Sequence, residues 1–84
     1  MKFKAEIKVM PRKELLDPQG KAVALGLKNI GIDNISDVRV GKHIVIYFES
    51  ENFQQAEEKT KMACSKLLTN TVVEYFEYDI EELK

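Results

Sequence analysis

Ile35-Ser36-Asp37-Val38-Arg39-Val40-Gly41-Lys42-His43-Ile44-Val45-Ile46-Tyr47-Phe48-Glu49 is the stretch on which the fold turns. Two runs rich in Val, Ile, Tyr and Phe flank Gly41-Lys42, and a Gly-first pair supplies the positive φ of a type II′ turn. The spacing predicts a hairpin with strands at 35–40 and 43–49. The segments on either side must then cover it.

Upstream, Asp17-Pro18 reads as a helix start. Asp17 accepts from free backbone N–H groups, and Pro18 stands where a missing donor costs nothing. Ala22, Val23, Gly26, Leu27 and Ile30 then share one helical stripe, and Gly31 sits where a left-handed cap is expected, so the helix runs from Pro18 to Ile30. Before it, Phe3, Ala5, Ile7 and Val9 alternate with Lys2, Lys4, Glu6 and Lys8, a half-buried strand that Pro11 ends.

Downstream of Ser50-Glu51-Asn52 the period becomes helical again. Phe53, Ala56, Thr60, Ala63, Cys64, Leu67 and Leu68 share an apolar face, and Asn70 is the expected C-terminal cap. Val72 to Ile80 reads as a last strand, followed by an acidic tail. The order β-α-β-β-α-β predicts an α+β fold of the ferredoxin-like kind, one domain over residues 1–84. Its expected form is a four-stranded antiparallel sheet with two helices on one face. In that topology the first and last strands are antiparallel neighbours. The basic residues Lys2, Lys4 and Lys8 would then face the acidic Glu74, Glu77, Asp79, Glu81 and Glu82.

Composition narrows the chemistry. With 84 residues there is room for one core, and 44% apolar content is too high for a disordered chain. A net charge of −1 lacks the cationic excess of a non-specific nucleic-acid binder, so no nucleic-acid partner is expected. No apolar run approaches a membrane span, and the N-terminus lacks the apolar stretch of a secretory signal. The expectation is a cytoplasmic protein. One His and one Cys cannot hold a transition metal at the usual ligand count, and no glycine-rich phosphate loop is present.

Individual residues divide between structural and functional roles. His43 beside the expected turn reads as a surface residue, and Cys64 on the apolar stripe as a buried, inert thiol. Arg39 and Lys42 flank the turn, where a solvated charge and a grip on a partner's carboxylate are both open. Asp17 at the helix start favours capping over anion binding, because it would repel the anion. Met62 points away from its helix's apolar stripe and hints at a contact. The uncovered sheet face is expected to expose Val45, Tyr47, Val73 and Tyr75, which suit self-association.

Three stretches together resemble a known family: Leu16-Asp17-Pro18-Gln19-Gly20, Asp37-Val38-Arg39-Val40-Gly41-Lys42, and Cys64 to Glu74. They are similar, in order and spacing, to PurS, the small subunit of phosphoribosylformylglycinamidine synthase in purine biosynthesis. Departures are minor: Thr69 stands where Ala is expected, and Ser50 to Lys59 match only in helical character. The resemblance implies a subunit with no active site of its own and no bound cofactor. ATP and Mg²⁺ would serve the large synthetase subunit, and a glutaminase subunit would release ammonia from glutamine. The small subunit would bridge the two and help shield the ammonia, as a homodimer or homotetramer. The matching motifs place partner contacts at Asp17, Gln19, Arg39, Lys42, Asn70 and Glu74.

Other uses of the fold fit less well. A nucleic-acid-binding module would stack bases on aromatic side chains of its central strands, but the polar face of the first strand carries Lys2, Lys4, Glu6 and Lys8. A small-molecule regulatory domain would place glycine in the first strand-to-helix loop, whereas Gly20 falls inside the helix start. An acyl-phosphate hydrolase would need a glycine-rich cradle beside Arg12, and none is present.

Overall fold

The computed structural model describes residues 1–84. Strand β1 (Lys2–Pro11) is followed by helix α1 (Pro18–Asn29), strand β2 (Lys42–Glu49), helix α2 (Phe53–Ala63) and strand β3 (Glu74–Leu83). The three strands form one antiparallel sheet in the order β2-β1-β3. The first strand is therefore the central one. Its register sets Ala5 against Ile46 on one side and Ile80 on the other, and Ile7 against Ile44 and Tyr78. Strand alternation then assigns the faces.

Phe3, Ala5, Ile7 and Val9 point to the helix side and are fully buried. Ile44, Ile46, Phe76 and Tyr78 from the flanking strands pack around Ile7, Val9 and Cys64. Burying a side chain the size of Val, Ile or Phe stabilises by about 2 kcal/mol, so β1 is the main apolar contributor to the fold. On the open face Lys4 is set against Glu81 and Lys8 against Glu77, the opposite-charge pairing expected from the sequence.

The sheet has three strands, where the sequence predicts four. Residues 35–40 form no strand, and two of their amides go to carboxylates instead of a neighbouring strand. The Asp17 carboxylate accepts from Val40 N–H at 2.8 Å, and Asp37 accepts from Val38 N–H at 3.0 Å. The close approach of this segment to α1 requires Gly20, since a Cβ there would overlap the Val38 carbonyl. Gly41 does not adopt the positive φ of a hairpin turn. It lies over β1, where a side chain would strike Met10 and the Val9 carbonyl.

The second correction concerns α1. Its N-terminus forms as expected, with Asp17 accepting from Gly20 N–H at 3.1 Å, and Gly31 follows in the left-handed region at φ 92°. Yet the helix does not lie on the sheet beside α2. Only Gly20 of α1 is buried, and Val23, Leu25 and Ile30 are exposed. Of the two helices only α2 makes an extended contact with a strand, over β3.

The chain is elongated as a result. It spans 50 × 29 × 15 Å with a radius of gyration of 16.5 Å, against about 12 Å for a compact chain of this length.

Helix α2 starts as read, with Asn52 accepting from Gln55 N–H at 2.8 Å. It ends in a π-helical turn, Cys64–Leu68, closed by Thr69 N–H to the Cys64 carbonyl at 3.0 Å. The wider turn changes the side-chain phase. Leu68 packs on the core, while Leu67, expected on the same face, is 82% exposed. Asn70 is not a left-handed cap. Its carbonyl accepts from Val73 and Glu74, and its side chain from Val72, making a turn that delays β3 until Glu74.

Candidate functional site

The end of the sheet where β1 stops gathers most of the motif residues. Four segments meet there: the loop 12–17, residues 37–41, the turn 69–73 and the start of β3. Arg39 is the hub. Its guanidinium donates to the carbonyls of Lys13 at 3.0 Å, Arg12 at 3.4 Å and Leu15, and its Nε pairs with Asp37 at 3.0 Å. A planar fork with five donors suits this task, and a lysine could not reach as many acceptors.

Arg12 ties the same loop to the turn beyond α2. Its Nη2 and Nε donate to the Thr71 carbonyl at 2.6 and 3.2 Å, and its backbone N–H donates to Val73. Glu74 accepts from Asn70 N–H at 2.8 Å and lies 4.0 Å from the Lys42 ammonium. Asp17 closes the set. The amides of Val40 and Gly20 hold its carboxyl below its ordinary value, with a further contribution from the Arg39 charge.

Asp17, Arg39, Lys42, Asn70 and Glu74 thus come together in one network, and Gln19 stands exposed in the first turn of α1 nearby. Arg39 is spent on its own chain's backbone, so its part is to shape the loop. Lys42 is 60% exposed, its ammonium 4.0 Å from the Glu74 carboxylate.

The sequence reading missed the apolar rim around this network. Leu15, Leu16, Val72 and Val73 are all exposed, Leu16 at 68% and Val72 at 79%. The available signal was an apolar pair, Leu15-Leu16, in a loop too short to bury it. The network is thus bordered by exposed apolar side chains.

Residues 4–82 match the family model described as PurS: Phosphoribosylformylglycinamidine (FGAM) synthase. The chain belongs to the PurS family. A PurS subunit from Synechocystis is 37% identical over 82 residues, covering 98% of this chain and 82% of that protein. The solved PurS of Thermus thermophilus is 39% identical with a TM-score of 0.86 and full coverage of both chains. A chain of the PurLQS structure from Thermotoga maritima is 37% identical with a TM-score of 0.81, covering 99% of each chain. This PurS-family chain is accordingly a subunit of FGAM synthase, an enzyme of purine biosynthesis.

The residues singled out for PurS self-association separate in the structure. Val45 and Tyr47 lie on the open face of β2, 41% and 68% exposed. Tyr75 lies on the same face of β3, paired with Met10, and is half-buried. Val73 does not belong to the sheet face: it sits in the turn before β3, at the rim of the docking end. His43, also on the open face, is 3.6 Å from Glu6 and half-exposed. Cys64 is fully buried, and burial pushes its thiol pKa up, as an inert structural cysteine requires. No helix of the PurS fold here is long and apolar enough to cross a membrane.

Proposed function

We propose that this chain is the coupling subunit of FGAM synthase, joining the glutaminase and the ATP-dependent synthetase so that ammonia passes between them. The observation that carries the reading is the docking end, where a rigid network surrounded by exposed Leu15, Leu16, Val72 and Val73 offers a preformed surface. Rigid surfaces bind without first paying for order. Ammonia released into water would be protonated or lost, so holding two active sites together has a direct chemical purpose. ATP and Mg²⁺ act on the synthetase subunit, and this chain contributes contacts through Asp17, Gln19, Lys42, Asn70 and Glu74, with Arg39 shaping their loop. It works in the cytoplasm as a homodimer or homotetramer, with Val45 and Tyr47 among the self-contacts.

The test is a reconstituted synthase assay with glutamine or ammonium chloride as nitrogen donor, with and without this chain. A glutamine-driven rate that needs the chain, beside an ammonia-driven rate that does not, supports coupling. Equal rates in all four conditions sink the reading.

A further inference from the structure

The apolar rim is carried by two exposed turns from distant parts of the chain. Leu15 and Leu16 stand on the loop after β1, and Val72 and Val73 on the turn before β3. The sheet alone does not fix these turns against each other, because the pairing of β1 with β3 ends at Pro11 and Glu74. Beyond that pair another link must align them.

Arg12 supplies it. Its backbone N–H donates to the Val73 carbonyl at 2.9 Å, and its Nη2 and Nε both donate to the Thr71 carbonyl, at 2.6 and 3.2 Å. No other hydrogen bond joins residues 12–17 to residues 69–73, and the Thr71 carbonyl has no other donor. On its own side the Arg12 carbonyl accepts from Leu15 N–H at 3.1 Å and from Arg39 at 3.4 Å. The guanidinium that reaches Thr71 therefore springs from the turn that presents Leu15 and Leu16. Its bonds to Thr71 are exposed, so water competes for them and they add little to the stability of the fold. Two donors from one planar group nevertheless fix direction as well as distance. A link of that kind serves the arrangement of the turns more than the survival of the domain.

We infer that Arg12 is a positioning residue for assembly of the synthase, acting through Val72 and its turn. It holds residues 69–73 against the 12–17 loop, so that Leu16 and Val72 meet the larger subunits as one surface. Without it the turns would be ordered against each other only on binding, and the affinity would fall by the cost of that ordering. The inference rests on the docking role proposed above.

Titration of the full chain into the glutaminase and synthetase subunits, read as the glutamine-driven rate, tests it. Arg12→Ala should raise the chain concentration at half-maximal rate by at least tenfold. The rate at saturation should change less than twofold, and the thermal melt of the isolated chain should be retained. Arg12→Lys keeps a donor for the Thr71 carbonyl and should lie between Arg12→Ala and wild type. In a Val72→Ala background Arg12→Ala should add less than threefold, because the side chain it positions is gone. An unchanged half-saturating concentration for Arg12→Ala overturns the inference, as does an Arg12→Lys variant no better than Arg12→Ala. A full tenfold loss repeated in the Val72→Ala background makes Arg12 a direct contact, and an early melt makes it a folding residue; either result also overturns it. A wild-type chain that leaves the glutamine-driven rate unchanged overturns the docking role itself.

Discussion

The Asp17 carboxylate reaches a residue 23 positions away: one oxygen accepts from Gly20 N–H at the start of α1, and the other from Val40 N–H at 2.8 Å. One side chain thereby caps a helix and replaces a rung of a strand ladder. Because the bonded form is the carboxylate, its pKa lies below the ordinary 3.8. Folding is favoured by this bond at all pH values above the unfolded-state value, and the benefit is lost as pH falls through the lowered folded value. Urea midpoints between pH 2 and 7 should therefore drop for wild type in the acid range. Asp17→Asn should be less stable at neutral pH, with the gap narrowing towards pH 2. Parallel curves would show that Asp17 does not supply that pH dependence.

Gly20 is required by proximity. Gly20→Ala drives a methyl into the Val38 carbonyl and should cost about 1–3 kcal/mol, read as a lower denaturant midpoint. The same substitution at Gly31, where φ is 92° and space is open, tests backbone strain alone and should cost about 1 kcal/mol.

Arg39 and Lys42 should separate in their effects. Arg39→Ala strands three carbonyls of the 12–15 loop and should cost about 2 kcal/mol as well as weaken assembly with the larger subunits. Lys42→Glu should weaken assembly with thermal stability held within about 0.5 kcal/mol, since its ammonium is mostly solvated. Gel filtration of the reconstituted complex, beside thermal melts of the isolated chain, checks both.

The apolar rim is exposed and carries no folding duty, and in the proposed reading it meets the larger subunits. Leu16→Asp and Val72→Asp should each reduce affinity for the larger subunits by at least tenfold, about 1.4 kcal/mol, and leave the melting curve in place. Affinity unchanged by both would move the docking surface elsewhere on the chain.

Cys64 offers a probe of the core. Buried beneath the π-helical turn, with its thiol pKa raised, it should react with a thiol reagent only as fast as the chain opens, and at once in denaturant. Rapid labelling of the native protein would show that the turn at Cys64–Leu68 is loose.

Much of this was legible from local pattern. Alternation located β1 and its buried face, Asp17-Pro18 located the start of α1, and opposite charges on the first and last strands anticipated their pairing. What failed was decided at a distance. Residues 35–40 have the composition of a strand, but the Val40 amide answers to Asp17, and no window around Val40 contains that competitor. The α1 stripe has the period of a buried face, but Val23 and Ile30 are exposed in this chain, because periodicity is silent about what covers a face. Leu67 was misplaced because one wide turn breaks the 3.6-residue count. Asp17, Arg39, Lys42, Asn70 and Glu74 lie at one end of the sheet, but the division between Arg39, which builds the loop, and Lys42, which is exposed, required the geometry.

The central position of β1 also has a kinetic consequence. Lys2–Pro11 is paired on one edge with Lys42–Glu49 and on the other with Glu74–Leu83, so the sheet is not complete until β3, more than 60 residues downstream, is available. Such long-range pairing raises contact order and slows folding relative to helical proteins of equal size. Until then the nascent strand carries Phe3, Ile7 and Val9 without cover, and Lys2, Lys4 and Lys8 keep a charged fringe on an otherwise adhesive segment. The lysines on the open face thus serve the unfinished chain before they serve the finished one.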